Sequence, residues 1–213
     1  MSSTCDMTFW DRWARAYDWT QRTNRRVNAA AAARVAALVP LGSLVLDCAA
    51  GTGLFSLAVS GRAGQVLCTD LSLPMLDRAR KKAARRGLTN IVFARRDLLA
   101  LPEADGSFDA VIAANVLHLL EAPVQAVREL WRVTAPGGIL LLPTYLQGKA
   151  GAAYGAVIKI YHGMGFHYER AFTPESYRAF LEGLNLAPAE LEIIPGPLPV
   201  GLAVLRRPPA EAF

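Results

Sequence analysis

The sequence predicts an α/β fold, a doubly wound and mostly parallel sheet flanked by helices, on three observations. Short apolar runs near residues 44–48, 65–69, 91–94, 108–113 and 137–143 alternate with longer helical stretches, as strands joined by right-handed crossovers do. The run Leu44-Val45-Leu46 delivers Asp47, after which Gly51 and Gly53 let the backbone turn tightly into a helix beginning near Leu54. A chain of 213 residues, 53% hydrophobic, is long enough to bury one large core, and the length favours one domain with small additions.

The elements follow in order. Phe9, Trp10, Trp13, Tyr17 and Trp19 precede an Ala-rich helix whose N-cap falls at Thr23 or Asn24. Spacings of three and four place Trp10, Trp13 and Tyr17 on one helical face, which serves either as a packing stripe or as a cover over a site. The second strand ends at Asp70, and Arg78 to Arg86 then predicts a helix with an exposed basic face. Ile91 to Ala94 leads to Asp97, and Phe108 to Ala113 leads to Asn115. After the fifth strand, residues 144–172 open on the glycine-rich Gly148 to Gly155 and continue through Tyr161, His162 and His167. A mobile cap over an apolar pocket and a plain surface helix both fit that composition. Thr173-Pro174-Glu175 then starts a helix, and Pro208-Pro209 opens a frayed tail.

The order of charges around the glycines names a ligand class. An acid just ahead of the turn, Asp47, repels a pyrophosphate but hydrogen-bonds a cationic ammonium group, while Asp70 at the next strand end can grip the paired hydroxyls of a ribose. A molecule with an amino-acid ammonium at one end and an adenosine ribose at the other is S-adenosyl-L-methionine. A dinucleotide site asks for G-x-G-x-x-G/A, which Ser56 only tolerates at the position three beyond Gly53, so Asp47 is the better discriminator.

These residues resemble the class I S-adenosylmethionine-dependent methyltransferases, particularly the UbiE-like and type 11 branch, over roughly Leu44 to Leu142. The resemblance implies a Rossmann-like, seven-stranded sheet whose last strand is antiparallel. Leu191 to Ile194 and Val200 to Leu205, joined by Pro195 to Pro199, suit the final antiparallel pair. In that family the turn reads D-x-G-x-G-x-G, and this chain carries Ala49 at the first glycine, a position alanine fills without strain only at negative φ. The resemblance assigns Asp47, Ala49, Gly51, Gly53, Asp70 and Leu71 to the cofactor, with Asp97 and Leu98 at its adenine and Asn115 and Val116 at its methionine end. It also implies a lid over residues 1–40, a cofactor-binding core over 41–143, a substrate cap over 144–172, and a terminal helix and strand pair over 173–207. Trp10, Tyr17, His118, Tyr145, Tyr161, His162 and His167 are the residues it places toward the acceptor, with Tyr17 and His118 nearest the chemistry.

Composition narrows the rest. Cys5, Cys48 and Cys68 are too few and too scattered for a disulfide framework or a metal clamp, and His162 and His167, five apart, have no nearby Cys or carboxylate to complete a metal site. No metal is expected. The chain lacks an uninterrupted apolar run long enough for a membrane span and opens without a signal-peptide layout, so a cytoplasmic protein is expected. Residues 1–100 hold 15 Lys and Arg against 7 Asp and Glu, and the remainder 8 against 11. The basic half makes peripheral contact with an anionic membrane surface conceivable, whereas the chain lacks aromatics interleaved for base stacking and carries Asn115-Val-Leu-His118 in place of the N-P-P-Y of base methylases.

The expected activity is in-line methyl transfer to a small-molecule or lipid-like acceptor with a hydrophobic part. Positioning supplies most of the rate, since holding a nucleophile in line with the breaking bond is worth roughly 7–11 kcal/mol. His118 is a candidate base for a protic acceptor because a histidine titrates near neutral pH, and a residue capping or packing its turn is the alternative. A nucleic-acid methylase and a cofactor-binding pseudoenzyme are the other readings.

Overall fold

The computed structural model describes residues 4–147 and 169–210. Two helices lead, α1 (Thr4–Thr20) and α2 (Arg25–Leu38), separated by a 3-10 turn (Gln21–Asn24). There follow β1 (Leu44–Cys48), α3 (Leu54–Val59), β2 (Gln65–Asp70), α4 (Leu73–Arg85), β3 (Ile91–Arg95) and β4 (Phe108–Ala113). The described chain is completed by α5 (Pro123–Val133), β5 (Thr134–Tyr145), α6 (Pro174–Glu182), β6 (Ala189–Ile194) and β7 (Val200–Arg206). The seven strands lie in the order β3-β2-β1-β4-β5-β7-β6, and β7 alone runs against the others.

Strand periodicity sorts the core onto the two faces of the sheet. Val45 of β1 with Ala110 and Ile112 of β4 packs against Val35, Phe55, Leu76 and Ala79 from α2, α3 and α4. Leu46 and Cys48 with Val111 and Ala113 face Val127, Leu130, Tyr177 and Leu181 from α5 and α6. Tyr177 is wholly buried and donates its hydroxyl to Leu142 O at 2.7 Å, which ties α6 to β5. Cys48 and Cys68 are buried free thiols whose pKa values burial pushes well above the ordinary range, so they behave as small apolar groups. Among the described residues no helix is long and apolar enough to cross a membrane.

Two expectations need correction. β5 begins at Thr134, not at Gly137, because Phe108 pairs with Thr134 before Ala110 pairs with Ile139, so the Pro136-Gly137-Gly138 turn is an irregularity within the strand. Asn24 does stand at the N-cap of α2, but its side chain makes no cap bond and instead donates to Leu198 O at 2.8 Å, joining α2 to the loop before β7. The helix expected from Thr173-Pro174-Glu175 is α6, and Thr173 is its N-cap, in a reciprocal box with Ser176.

The glycine turn is tied to the packing of α3 on α4. Gly53 has φ +81°, and a Cβ there would lie 2.9 Å from Ala79 Cβ. Gly53→Ala combines left-handed strain with overpacking, so a destabilisation of about 2–4 kcal/mol is expected, read as a lowered urea midpoint at unchanged m-value. Adding Ala79→Gly should recover the steric part of that loss.

Candidate active site

The carboxyl ends of β1, β2, β4 and β5 meet where strand order reverses, with β1 between β2 and β4, and ligands of open parallel sheets bind in such a crevice. The backbone from Ala49 to Gly53 forms its floor, with φ +51° at Ala49, +54° at Gly51 and +81° at Gly53. The negative φ that would have suited alanine is therefore not adopted. Ala49 occupies the left-handed region that glycine fills freely, at a cost of roughly 1–2 kcal/mol.

Asp47 is fully buried at the head of this turn. Its Oδ2 accepts from the Ser56 N–H at 2.8 Å and the Ser56 hydroxyl at 2.6 Å, while its buried Oδ1 has no hydrogen-bond partner. Burial, opposed by the Ser56 bonds and reinforced by the charge of Asp70, raises its pKa to about 7. A buried carboxylate oxygen without a donor fits a cationic ligand, because an ammonium satisfies the lone pair and the charge together. Ser56, read in the sequence only as a tolerated dinucleotide position, is what fixes this carboxylate.

Asp70 accepts from Gly51 N–H at 2.8 Å through Oδ2 and from Ser72 N–H at 2.8 Å through Oδ1. Burial raises its pKa against those backbone bonds. Two of the roughly four lone-pair sites of a carboxylate are thus used, which leaves capacity for a diol. Leu71 beside it is 40% exposed, an apolar surface at the rim. Asp97 Oδ1 accepts from Leu99 N–H at 2.9 Å and shapes the turn after β3, with Leu98 buried beneath. Asn115, at φ +53°, accepts from Tyr145 N–H at 3.0 Å, and Val116 is buried behind it. The chain thus fits S-adenosylmethionine at its two acids and its glycine floor, while Asp97 and Asn115 also do local structural work.

Helix α1 lies against the floor. A Cβ built on Gly51 would be 3.8 Å from the Tyr17 ring, and Trp10 meets Tyr17 edge-on at 5.9 Å between ring centroids. Two acids hold the helix there. Asp11 accepts from the Ser72 hydroxyl at 2.6 Å, and Asp18 accepts from Thr52 Oγ1 at 2.7 Å, Lys82 Nζ at 2.6 Å and Arg78 Nη2 at 3.2 Å. Partial burial opposes the charge on Asp18, but the donors from Lys82, Thr52 and Arg78 outweigh it and hold the carboxyl below its usual range. Burial in turn pulls Lys82 below its usual value against the attraction of Asp18. Arg78 and Lys82 are therefore not part of a free basic face, a correction to the sequence expectation for that helix. Asp18→Asn should loosen α1 by up to about 1 kcal/mol, seen as hydrogen exchange of the α1 amides rising by no more than about fivefold with the sheet unchanged.

Across the crevice His118 sits in a 3-10 turn (Leu117–Leu119) beyond β4, 6.5 Å from the Tyr145 ring. Its Nδ1 is buried without a partner, and burial lowers its pKa to about 4. It is a neutral imidazole at physiological pH, so the expected titration near neutrality is corrected by the burial that spacing cannot reveal. The Tyr145 hydroxyl lies 2.8 Å from Gln21 Oε1 and 3.0 Å from Asn28 Oδ1, linking β5 to the start of α2. Neither amide carried any sequence signal. Tyr161, His162 and His167 lie outside the described residues. Among the described residues no group of three His, Cys, Asp or Glu side chains could hold a metal ion.

Comparison with known proteins accords with this geometry. Residues 46–142 match the family profile described as a methyltransferase domain. The chain is 41% identical over 168 residues to a demethylmenaquinone methyltransferase of Deinococcus radiodurans, covering 73% of this chain and 69% of that protein. It is 30% identical over 162 residues to the ubiquinone/menaquinone biosynthesis C-methyltransferase UbiE of Haemophilus ducreyi, covering 71% of this chain and 61% of that one. Its fold superposes on the structure of DhpI in complex with SAH at a TM-score of 0.71 over 97% of both chains, with 22% identity.

Proposed function

The chain belongs to the class I S-adenosylmethionine-dependent methyltransferases, in their UbiE-like branch, and from that premise we propose that its acceptor is a quinone-like small molecule, methylated on a ring carbon beside a hydroxyl. The observation that carries the acceptor class is His118: a neutral imidazole with one unused buried nitrogen, set beside the ring of Tyr145. One polar contact in an aromatic setting suits a hydroxylated ring with an apolar substituent. The names of the two relatives support the same class.

S-adenosylmethionine, when bound, supplies a methyl group activated on a sulfonium and a neutral thioether as leaving group. The residues of this chain then have three tasks. Asp47 and Asp70 hold charge and hydroxyls. Tyr17 and Trp10, on α1, screen the glycine floor from water. His118, as the Nε2–H tautomer, offers a lone pair at Nδ1 to the acceptor hydroxyl, which keeps electron density on the ring carbon that attacks. Asp18 takes up the charges of Arg78 and Lys82 on α4, which leaves less basic surface there for a nucleic-acid acceptor.

The test is release of S-adenosylhomocysteine with a panel of acceptors: a short-chain 2-prenyl-1,4-naphthohydroquinone, phosphatidylethanolamine and an RNA oligonucleotide. Turnover confined to the hydroquinone, with the new methyl located on ring carbon by NMR, is expected. Turnover of the amine or the RNA in its place would overturn the proposal.

A further inference from the structure

We infer that the corner formed by the end of α1, the 3-10 turn and the start of α2 docks on an anionic membrane surface. The use of such a contact rests on the quinone-like acceptor proposed above, whose apolar substituent partitions into lipid. The corner itself is argued from its own residues.

Trp19 is 70% exposed, whereas Trp10, Trp13 and Tyr17 of the same helix are turned inward and partly buried. In the same segment Arg12, Arg22, Arg25 and Arg26 are exposed and make no ion pair among the described residues, unlike Arg34 farther along α2, which pairs with Glu192 at 2.7 Å. Arg12 and Trp19 are seven residues apart and share one face of α1. Of the nearby acids, Asp18 is paired with Arg78 and Lys82, and Asp11 keeps its charge but accepts from the Ser72 hydroxyl at 2.6 Å and forms no ion pair among the described residues. The result is four exposed guanidinium groups without ion pairs among the described residues, in the same 15-residue segment (12–26) as an exposed indole. An anionic headgroup layer complements the charges, and an indole settles at the boundary between headgroups and acyl chains. The corner is also one side chain from the acceptor wall, since Gln21 and Asn28 hold the Tyr145 hydroxyl. A molecule leaving the bilayer at this point meets the crevice without crossing bulk water.

The experiment is sedimentation of the full chain with vesicles of phosphatidylcholine alone or with one third phosphatidylglycerol. Binding to the anionic vesicles only, weakened by added salt, is expected. Replacing Arg22, Arg25 and Arg26 together by Gln should weaken it by about a hundredfold, at about fivefold per basic residue, and Trp19→Ala should weaken it further. A matched variant of the exposed residues Lys81 and Arg85 of α4 and Arg86 at its C-cap should lie within about twofold of the parent. Both triple variants should keep the parent melting temperature and turnover of a water-soluble short-chain hydroquinone. No binding to anionic vesicles, equal binding to neutral ones, equal loss in the α4 variant, or preferential binding of a poly(U) oligonucleotide would each overturn the inference. Failure of the acceptor proposal would show separately, as no turnover of the soluble hydroquinone whatever the vesicles do.

Discussion

Asp47→Asn should yield a protein that is more stable without ligand and weakens S-adenosylhomocysteine binding by roughly 10- to 150-fold, the loss of a charged hydrogen bond worth about 1.5–3 kcal/mol. Both halves follow from one buried carboxyl group. Its pKa is raised from 3.8 to about 7, so between those values the folded protein holds one proton more than the unfolded chain. Stability from this group is therefore present in acid, falls as pH rises through 7, and levels off above, by at most about 4 kcal/mol. Asparagine removes that slope while keeping an oxygen for Ser56. On the binding side, ammonium pairing needs the carboxylate, so parent affinity should climb by up to about tenfold per pH unit toward 7 and then flatten. The variant should be flat throughout. Calorimetric titration from pH 5.5 to 8.5, with melting curves of the free proteins, measures both. A variant that keeps the parent's pH slope would show that another group binds the ammonium.

That site was legible in the sequence where its parts are local. The apolar run before Asp47, the glycines after it and Asp70 at the next strand end lie within the 27 residues from Leu44 to Asp70, and strand-turn-helix chemistry fixes their order. The apolar run Ala110 to Ala113 of β4 was equally plain, because positions buried on both faces of a sheet need apolar side chains, with the exposed Asp109 just ahead of it. What escaped depends on distance or burial. Asp18 and Lys82 are 64 positions apart, so two residues of an apparent surface helix turned out to clamp α1. The early start of β5 hid behind a Pro-Gly-Gly signal that marks a turn and does not say whether pairing resumes on both sides of it. Asn24 has the composition of a cap, yet the carbonyl of Leu198 competes for its side chain. Ala49 is the instructive case: the small side chain suggested close approach, but the sign of φ comes from the turn as a whole.

Removing the His118 imidazole should lower kcat about tenfold while leaving cofactor affinity unchanged, and His118→Gln, which can still accept a hydrogen bond, should restore most of the loss. The modest size follows from the environment. Burial lowers the pKa to about 4, so the nitrogen is a weak proton acceptor at pH 7 and contributes by orienting a hydroxyl, whereas a true general base commonly carries 10²–10⁴-fold. At saturating S-adenosylmethionine, which keeps Asp47 ionised, kcat should show no limb near pH 6.5. Stability carries the complementary signature. With a folded pKa below the unfolded value of 6.5, His118 contributes stability that is present above pH 6.5 and lost as pH falls through 4. His118→Gln should flatten that part of the acid-unfolding curve. A kcat limb near pH 6.5 that disappears in both variants, with losses beyond a hundredfold, would instead make His118 the base.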